Sequence, residues 1–411
     1  MTDASQPRMA RGTMLPAGIL AAALFALLAF APFASAASDP VAGGSTTIVL
    51  KSNFTKYLKT FGIKTLKIKP AKLKGNKATF TVTGGSLDPL TGLGEVTLGG
   101  GLKFKAGKSS APVKALVLNT SKKSLTAKVA GKKVKLATVA GWSFARNGFG
   151  VNLTVKKLKL TSAGANALNK KLGFSKGTPK PFLKNKLIAK AAAETQPSTV
   201  NVLPGGLMAL AVNAGTFEKL ANVKVKIPVS APTTEPSKGL YNFPITGGTV
   251  GPTGTAGVVQ SAGGLQLLQK LQTGVSTFIE TEITLGNVYA DLAAKTLTVE
   301  VVAKSTASKS LDLGNLGRSS IADITVSGVV ADPATRTVTV SNAPTVLQPV
   351  SAEVLEGFVK VYEGYLEKAL QGPPFFLTEE QAKAKAKEEG EKNKISAGDA
   401  LGTISFTAQG Q

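Results

Sequence analysis

The chain has 411 residues, of which 43% are hydrophobic, and carries a formal net charge of +25 at pH 7. It contains no cysteine and no histidine, which excludes disulfides, zinc sites built on those ligands, Ser-His-Asp triads and cysteine nucleophiles. The composition therefore favours a folded binding protein over an enzyme, and the stability of that fold has to come from apolar burial.

The first 36 residues have the pattern of a secretion signal. Arg8 and Arg11 precede an apolar run from Leu15 to Phe33, and residues 34–36 read Ala-Ser-Ala, the small-residue pattern that signal peptidase accepts. A retained membrane anchor is the alternative, because the apolar run is close to the roughly 20 residues that span a bilayer. The sequence thus predicts a secreted, extracellular protein associated with the cell envelope, with no transmembrane segment after signal cleavage.

Strand patterns dominate the rest of the chain. Leu50, Phe54 and Leu58 are spaced as in a short helix. Beyond them, apolar and polar residues alternate as in half-buried strands over residues 64–69, 78–83, 96–105, 125–129 and 151–160. Near the end, residues 358–394 form a helical insertion whose second helix begins at Thr378.

One segment of this pattern occurs twice. Residues 80–102 and 243–265 align at a constant offset of 163, and ten of the 23 pairs are identical. The identical residues are mainly glycine and proline, which fix turn geometry. We therefore predict two modules, residues 45–203 and 204–411. The predicted fold class is mainly β, with two tandem β-rich modules, sandwich-like or barrel-like, and short flanking helices.

The two modules differ in charge. Residues 37–203 hold 30 lysines and arginines against four acids, a net charge of +26, whereas residues 204–411 hold 17 against 19, a net charge of −2. In residues 66–74 and 155–160 the lysines alternate with apolar residues, which places several of them on one sheet face. The candidate polyanion-binding residues are Lys67, Lys69, Lys72, Lys74, Lys156, Lys157 and Lys159.

Such a face attracts anionic partners. In a secreted protein these are anionic cell-wall polymers or lipid head groups. Nucleic acid is not expected, because few aromatic residues are placed for base stacking. The alternative is a surface that only keeps the protein soluble, since lysine also discourages aggregation at strand edges.

The repeated segment, a strand ending in Thr-Gly-Gly followed by proline, a glycine-rich turn and Gly-Gly-Leu, resembles the HtaA-type domain. That family comprises secreted or wall-associated actinobacterial proteins, and its best-known members take up haem. The resemblance covers both modules. It implies a tyrosine ligand to the haem iron in an early Phe-x-x-Tyr segment, supported by a histidine from the turn before the Gly-Gly-Leu strand.

The residues of this chain meet that expectation in part. Asn53-Phe54-Thr55-Lys56-Tyr57 matches the implied segment, whose full pattern is Ser-Phe-x-x-Tyr, and this makes Tyr57 the candidate haem ligand. The second module aligns Leu220 with that tyrosine, and Leu98 and Ser261 stand where the resemblance implies histidine.

Two functions are consistent with the sequence. The first is a cell-surface binding protein of the haem-uptake type, with haem as its cofactor. The second is a non-haem structural or adhesive wall protein, whose lysine-rich first module binds anionic envelope polymers. Neither function involves a catalytic residue or a separate metal site.

Overall fold

The computed structural model describes residues 38–174, 178–307 and 311–411. The predicted secretion signal, residues 1–36, lies outside the described residues. Within them, strands predominate and the helices are few, which confirms the prediction of a mainly β protein.

The strands of the first module pair antiparallel throughout. They are β1 (Asp39–Leu50), β2 (Ile63–Ile68), β3 (Lys72–Lys74), β4 (Lys77–Leu87), β5 (Gly94–Ala106), β6 (Ser109–Asn119), β7 (Ser124–Val129), β8 (Lys132–Asn147), β9 (Gly150–Leu160) and β10 (Leu187–Pro197). Strands β5 to β10 follow one another around a sheet that continues through β1 and β4. Because β4 pairs back with β5, these eight strands close into a ring.

The second module repeats this arrangement. Its strands are β11 (Val200–Asn201), β12 (Leu207–Val212), β13 (Val225–Lys226), β14 (Val229–Ser230), β15 (Thr234–Ser237), β16 (Leu240–Val250), β17 (Gly257–Ser261), β18 (Gly264–Gln272), β19 (Phe278–Asp291), β20 (Thr296–Ser305), β21 (Gly314–Ile324), β22 (Val330–Asp332), β23 (Thr337–Leu347) and β24 (Ala400–Gln409). The ring runs β16, β12, β24, β23, β21, β20, β19 and β17, and β17 closes it by pairing with β16.

The strand order therefore decides between the two predicted architectures. In each module the sheet closes on itself, so the modules are barrel-like. Strand β5 of the first module corresponds to two strands of the second module, β17 and β18. The two residues between them, Ala262 and Gly263, belong to neither strand. Apolar side chains line the interior of each ring and form two separate hydrophobic cores.

Short helices follow corresponding strands in the two modules. They are α1 (Ser52–Thr60) after β1, α2 (Ser162–Leu172) after β9, α3 (Ala214–Asn222) after β12, α4 (Pro349–Gln371) after β23, and α5 (Glu379–Lys392). Thr378 caps α5 in a capping box with Gln381, as its position predicted. In the structure β1 begins at Asp39 and α4 begins at Pro349. The module boundaries and the helical insertion of about residues 358–394 remain predictions.

The positions at which helices α1 and α3 begin correct the alignment of Tyr57 with Leu220. Lys51 precedes the first turn of α1 and Asn213 precedes that of α3, an offset of 162 rather than 163. Phe54 therefore corresponds to Thr216, and Tyr57 to Lys219 rather than to Leu220. The sequence alignment missed this because the extra residue of the second module lies between the helix and the repeated segment.

The two modules contact each other directly. Phe149, in the turn between β8 and β9 of the first module, packs in the hydrophobic core of the second module. Asp39 of β1 accepts a hydrogen bond from Asn201 Nδ2 at 3.0 Å and forms an ion pair with Arg336. These contacts involve the end of the first ring at which β1 begins.

Candidate functional site

The basic and the acidic residues of the first module lie mostly at opposite ends of its ring. Helices α1 and α2 follow the last residues of β1 and β9, so both lie at the end away from the second module. We call this the basic end, because most first-module lysines lie on strand ends, helices or loops there. Of the described basic residues, Lys122, Lys123 and Arg146 belong to the opposite end. The four acids lie toward that opposite end too: Asp39, Asp88, Glu95 and Glu194.

Tyr57 lies at the basic end, on α1. Its side chain is half-buried, and its ring packs edge-to-face against Phe61, with 5.2 Å between the ring centroids. Phe61 in turn packs against Phe174 at 6.0 Å. The ammonium of Lys186 lies over the tyrosine ring, 5.4 Å from its centroid. The ring is therefore held in place by apolar and cation–π contacts.

The Tyr57 hydroxyl makes no hydrogen bond to any described residue. The exposed lysines Lys56 and Lys59 flank it along the helix. In chemical terms this is a phenol within a positively charged surface, and a phenolate oxygen is a donor that suits ferric iron. The residues at the positions of the implied histidine, Leu98 and Ser261, are both buried inside their rings, and the Ser261 hydroxyl donates to Val288 O at 2.8 Å.

All seven lysines predicted to bind polyanions are exposed. Lys74 on β3 is opposite Lys77 on β4, and the row continues through Val49 of β1 to Lys190 of β10. Lys156 and Lys157 of β9 lie opposite Lys190, at a shift in register. The structure thus joins Lys72 and Lys74 to Lys156, Lys157 and Lys159 across five strands. Lys67 and Lys69 lie apart from this row, on and just after β2 beside β5.

A second lysine row was missed by the sequence analysis. Lys114 of β6 lies directly opposite Lys128 of β7, which lies directly opposite Lys133 of β8. All three side chains are exposed. Neighbouring strands are about 5 Å apart, and like charges directly opposite each other destabilise a sheet. These lysines are far apart in sequence, so only the strand register could reveal the row.

In the second module the positions that correspond to this row carry one negative and one positive side chain. Gly286, Glu300 and Arg318 are paired there across β19, β20 and β21, through a register shift like that of the first module. Glu300 accepts hydrogen bonds from Tyr289 and Asn287, and the Arg318 guanidinium lies 4.0 Å from the centroid of the Tyr289 ring. Burial and the neighbouring Glu300 raise the pKa of Tyr289.

No ion pair among the described residues includes a first-module lysine. The described part of the chain also holds no group of three or more acidic residues arranged to bind a metal ion. The basic end therefore carries positive charge that no ion pair within the described ranges neutralises. None of the helices in the described ranges is long and apolar enough to cross a membrane.

Comparison with known proteins supports one family. Residues 218–364 match the sequence model of the HtaA family. Crystal structures of the C-terminal and N-terminal domains of HtaA from Corynebacterium glutamicum are similar to this chain at 13% and 12% identity, with TM-scores of 0.30 and 0.31. They cover 38% and 51% of this chain, and 99% and 98% of their own. The sequence comparison with curated proteins found no match. The similarity to the HtaA family therefore rests on residues 218–364, which lie in the second module.

Proposed function

We propose that this protein is a secreted binding protein of the cell envelope, and that the basic end of its first module binds haem. One support for this proposal is the similarity to the HtaA family, which implies haem uptake. The other is an observation: Phe61 and Lys186 hold the Tyr57 ring in place, while its hydroxyl has no hydrogen-bond partner among the described residues. Tyr57 would ligate the ferric iron as a phenolate, and the lysines around it would bind the propionates.

The residues fit the group chemically. A phenolate ligand requires the tyrosine pKa to fall from about 10, which the iron itself and nearby positive charge both favour. The chain supplies that charge from lysine, since it has no histidine. In the second module Lys219 occupies the position of Tyr57. One haem per chain is therefore expected.

Titration of the purified protein with hemin tests this proposal. We expect a saturable shift of the Soret band at a ratio of one hemin per chain. Tyr57→Phe should abolish the shift, because it removes the donor oxygen but keeps the ring contact with Phe61. Tyr365→Phe, on α4, is the matched control and should titrate like the unmodified protein. A shift that persists in Tyr57→Phe contradicts the assignment of the ligand.

A second function is favoured by the two lysine rows. We propose that the outer surface of the first module also binds linear anionic polymers of the envelope. The observation behind this proposal is the row Lys114, Lys128 and Lys133, whose counterparts in the second module are Gly286, Glu300 and Arg318. A polymer with regularly spaced negative charges would relieve the repulsion that the row creates.

Retention on immobilised polyphosphate, as a model linear polyanion, measures this binding. Lys128→Glu should weaken retention and reduce its dependence on salt, because it places a negative charge in the centre of the row. Lys122→Glu makes the same charge change at the opposite end of the ring and is the control. Equal effects of the two substitutions would show that only the net charge matters.

A further inference from the structure

The ring of the second module encloses an apolar cavity of about 130 Å³. Its walls are leucine, isoleucine and valine side chains from nearly every strand of the ring, such as Leu210, Ile283 and Leu297. The corresponding cavity of the first module is about 40 Å³. Since protein interiors are normally packed without voids of this size, the difference between the modules requires an explanation.

Two substitutions between the modules place smaller side chains around the second cavity. Phe54 of α1 corresponds to Thr216 of α3, and Phe104 of β5 corresponds to Leu267 of β18. Both phenylalanines line the small cavity of the first module and pack against Phe182, with ring centroids 6.1 and 5.3 Å apart. Their smaller counterparts line the large cavity of the second module.

Two buried hydroxyl groups belong to the lining of this cavity. Tyr241 of β16 is fully buried with the Glu235 carboxylate near its hydroxyl, and the hydroxyl of Ser320 on β21 has no hydrogen-bond partner among the described residues. The two strands are four positions apart in a ring of eight, so the hydroxyls belong to opposite walls. Burial, and then the Glu235 carboxylate, raise the pKa of Tyr241, which keeps the phenol neutral. A buried hydroxyl without a partner is costly.

The cavity also opens to solvent. Leu316 on β21 and Val350 on α4 both line it, and their exposed fractions are 44% and 67%. None of the described residues that line it is charged. A ligand could therefore enter between β21 and α4, and its recognition would depend on shape and hydrogen bonding rather than on charge.

We propose that the second module binds a small neutral molecule inside its ring. The size of the cavity is close to that of apolar cavities, on the order of 150 Å³, that take up benzene. The ligand is mainly apolar, is about as large as one substituted aromatic ring, and carries one hydroxyl or carbonyl group that reaches Tyr241 or Ser320. This site is separate from the basic end and independent of haem binding.

Calorimetric titration of the purified protein with p-cresol and with toluene tests the proposal. We expect saturable binding of one molecule per chain, tighter for p-cresol, and an unfolding temperature that rises with ligand concentration. Thr216→Phe, which restores the first-module side chain, should weaken binding at least tenfold. Thr60→Phe, on the exposed side of α1, is the matched control and should bind normally. Leu267→Phe fills the same cavity from a strand and replaces Thr216→Phe if that variant does not fold.

Tyr241→Phe separates the polar contact from the apolar one. It should bind toluene as before and lose the preference for p-cresol, whereas an unchanged preference in both this variant and Ser320→Ala contradicts the role of the hydroxyls. Absence of saturable binding of either probe at millimolar concentration overturns the proposal. Binding that survives in both filled variants overturns it as well.

Discussion

The carboxylate of Asp39 lies 3.4 Å from Arg336 Nη2, and this pair joins the first module to the second. Both side chains are almost completely buried. Burial raises the pKa of Asp39 and lowers that of Arg336, while hydrogen bonds from Asn201 oppose the first shift. The Nε and Nη1 groups of Arg336 have no partner among the described residues. Arg336 Nη2 also donates a hydrogen bond to Phe149 O at 3.5 Å, so this arginine contacts the first module at two places.

Breaking the pair from one side should be strongly destabilising. Arg336→Met leaves the Asp39 carboxylate buried without its counter-charge, and we expect the free energy of unfolding to fall by about 3–5 kcal/mol. Urea denaturation monitored by Trp142 fluorescence and circular dichroism measures the change. Lys270→Met removes the exposed pair with Glu280 and serves as the control, for which we expect about 0–1 kcal/mol. Similar losses for the two variants would contradict a structural role for the buried pair.

The central lysine of the second row offers a prediction about stability that does not depend on any ligand. Lys128→Glu places a negative charge directly opposite both Lys114 and Lys133, so we expect a gain of about 0.2–1 kcal/mol. The reciprocal change Glu300→Lys removes the acceptor of Tyr289 and Asn287 and should destabilise the second module. Thermal unfolding at low and high salt measures both, and the gain from Lys128→Glu should shrink as salt screens it.

The strands were predicted well because apolar and polar residues alternate along them in the sequence. Residues 64–69, 78–83, 96–105, 125–129 and 151–160 lie almost entirely in β2, β4, β5, β7 and β9. Ring closure could not be predicted, because it depends on a pairing of β4 with β5 that no local pattern specifies. The lysine rows were partly hidden for the same reason: a row runs across strands, and its members are separated along the chain by turns of variable length.

The candidate site was predicted less completely than the fold. The position of Tyr57 on a helix followed from spacing, whereas its contact with Lys186 joins residues distant in sequence. The cavity of the second module depends on which side chains face each other inside the ring. The replacement of Phe54 by Thr216, which enlarges this cavity, follows from the starts of helices α1 and α3 and not from the sequence alignment.

Glu363 on α4 provides a prediction about pH. Burial and the carboxylates of Glu356 and Glu391 raise its pKa, and Lys360 and Lys387 oppose the shift only in part. Because the pKa in the folded state lies above the unfolded value, this group stabilises the fold below the unfolded pKa. That contribution is lost as pH rises through the folded pKa.

We therefore expect Glu363→Gln to stabilise the protein at pH 7 and to have less effect near pH 4. The pH dependence of the unfolding temperature measures the difference. Glu353→Gln, at an exposed position of the same helix, is the control and should not reproduce this change with pH. A stabilisation that is equal at both pH values would show that the glutamine acts by packing instead.

The pairs Gly84-Gly85 and Gly247-Gly248 occupy corresponding positions in the two modules. Gly85 has a φ of +133°, and a Cβ there would lie far inside contact distance of the Glu95 carbonyl oxygen. Gly248 repeats this geometry against the carbonyl of Val258. Gly84, the preceding residue, has open space around its Cα. The second glycine of each pair is thus required by close approach of the neighbouring strand, whereas Gly84 is not.

Alanine substitutions should separate the two positions. We expect Gly85→Ala to destabilise the protein by roughly 3 kcal/mol, since the side chain meets both an unfavourable φ and the backbone of β5. Gly84→Ala should change the stability by less than about 0.5 kcal/mol. Gly248→Ala should behave like Gly85→Ala, because strands β16 and β17 approach each other as β4 and β5 do. Equal tolerance of alanine at positions 84 and 85 in denaturant titrations would mean that the closure of the ring relaxes at this point.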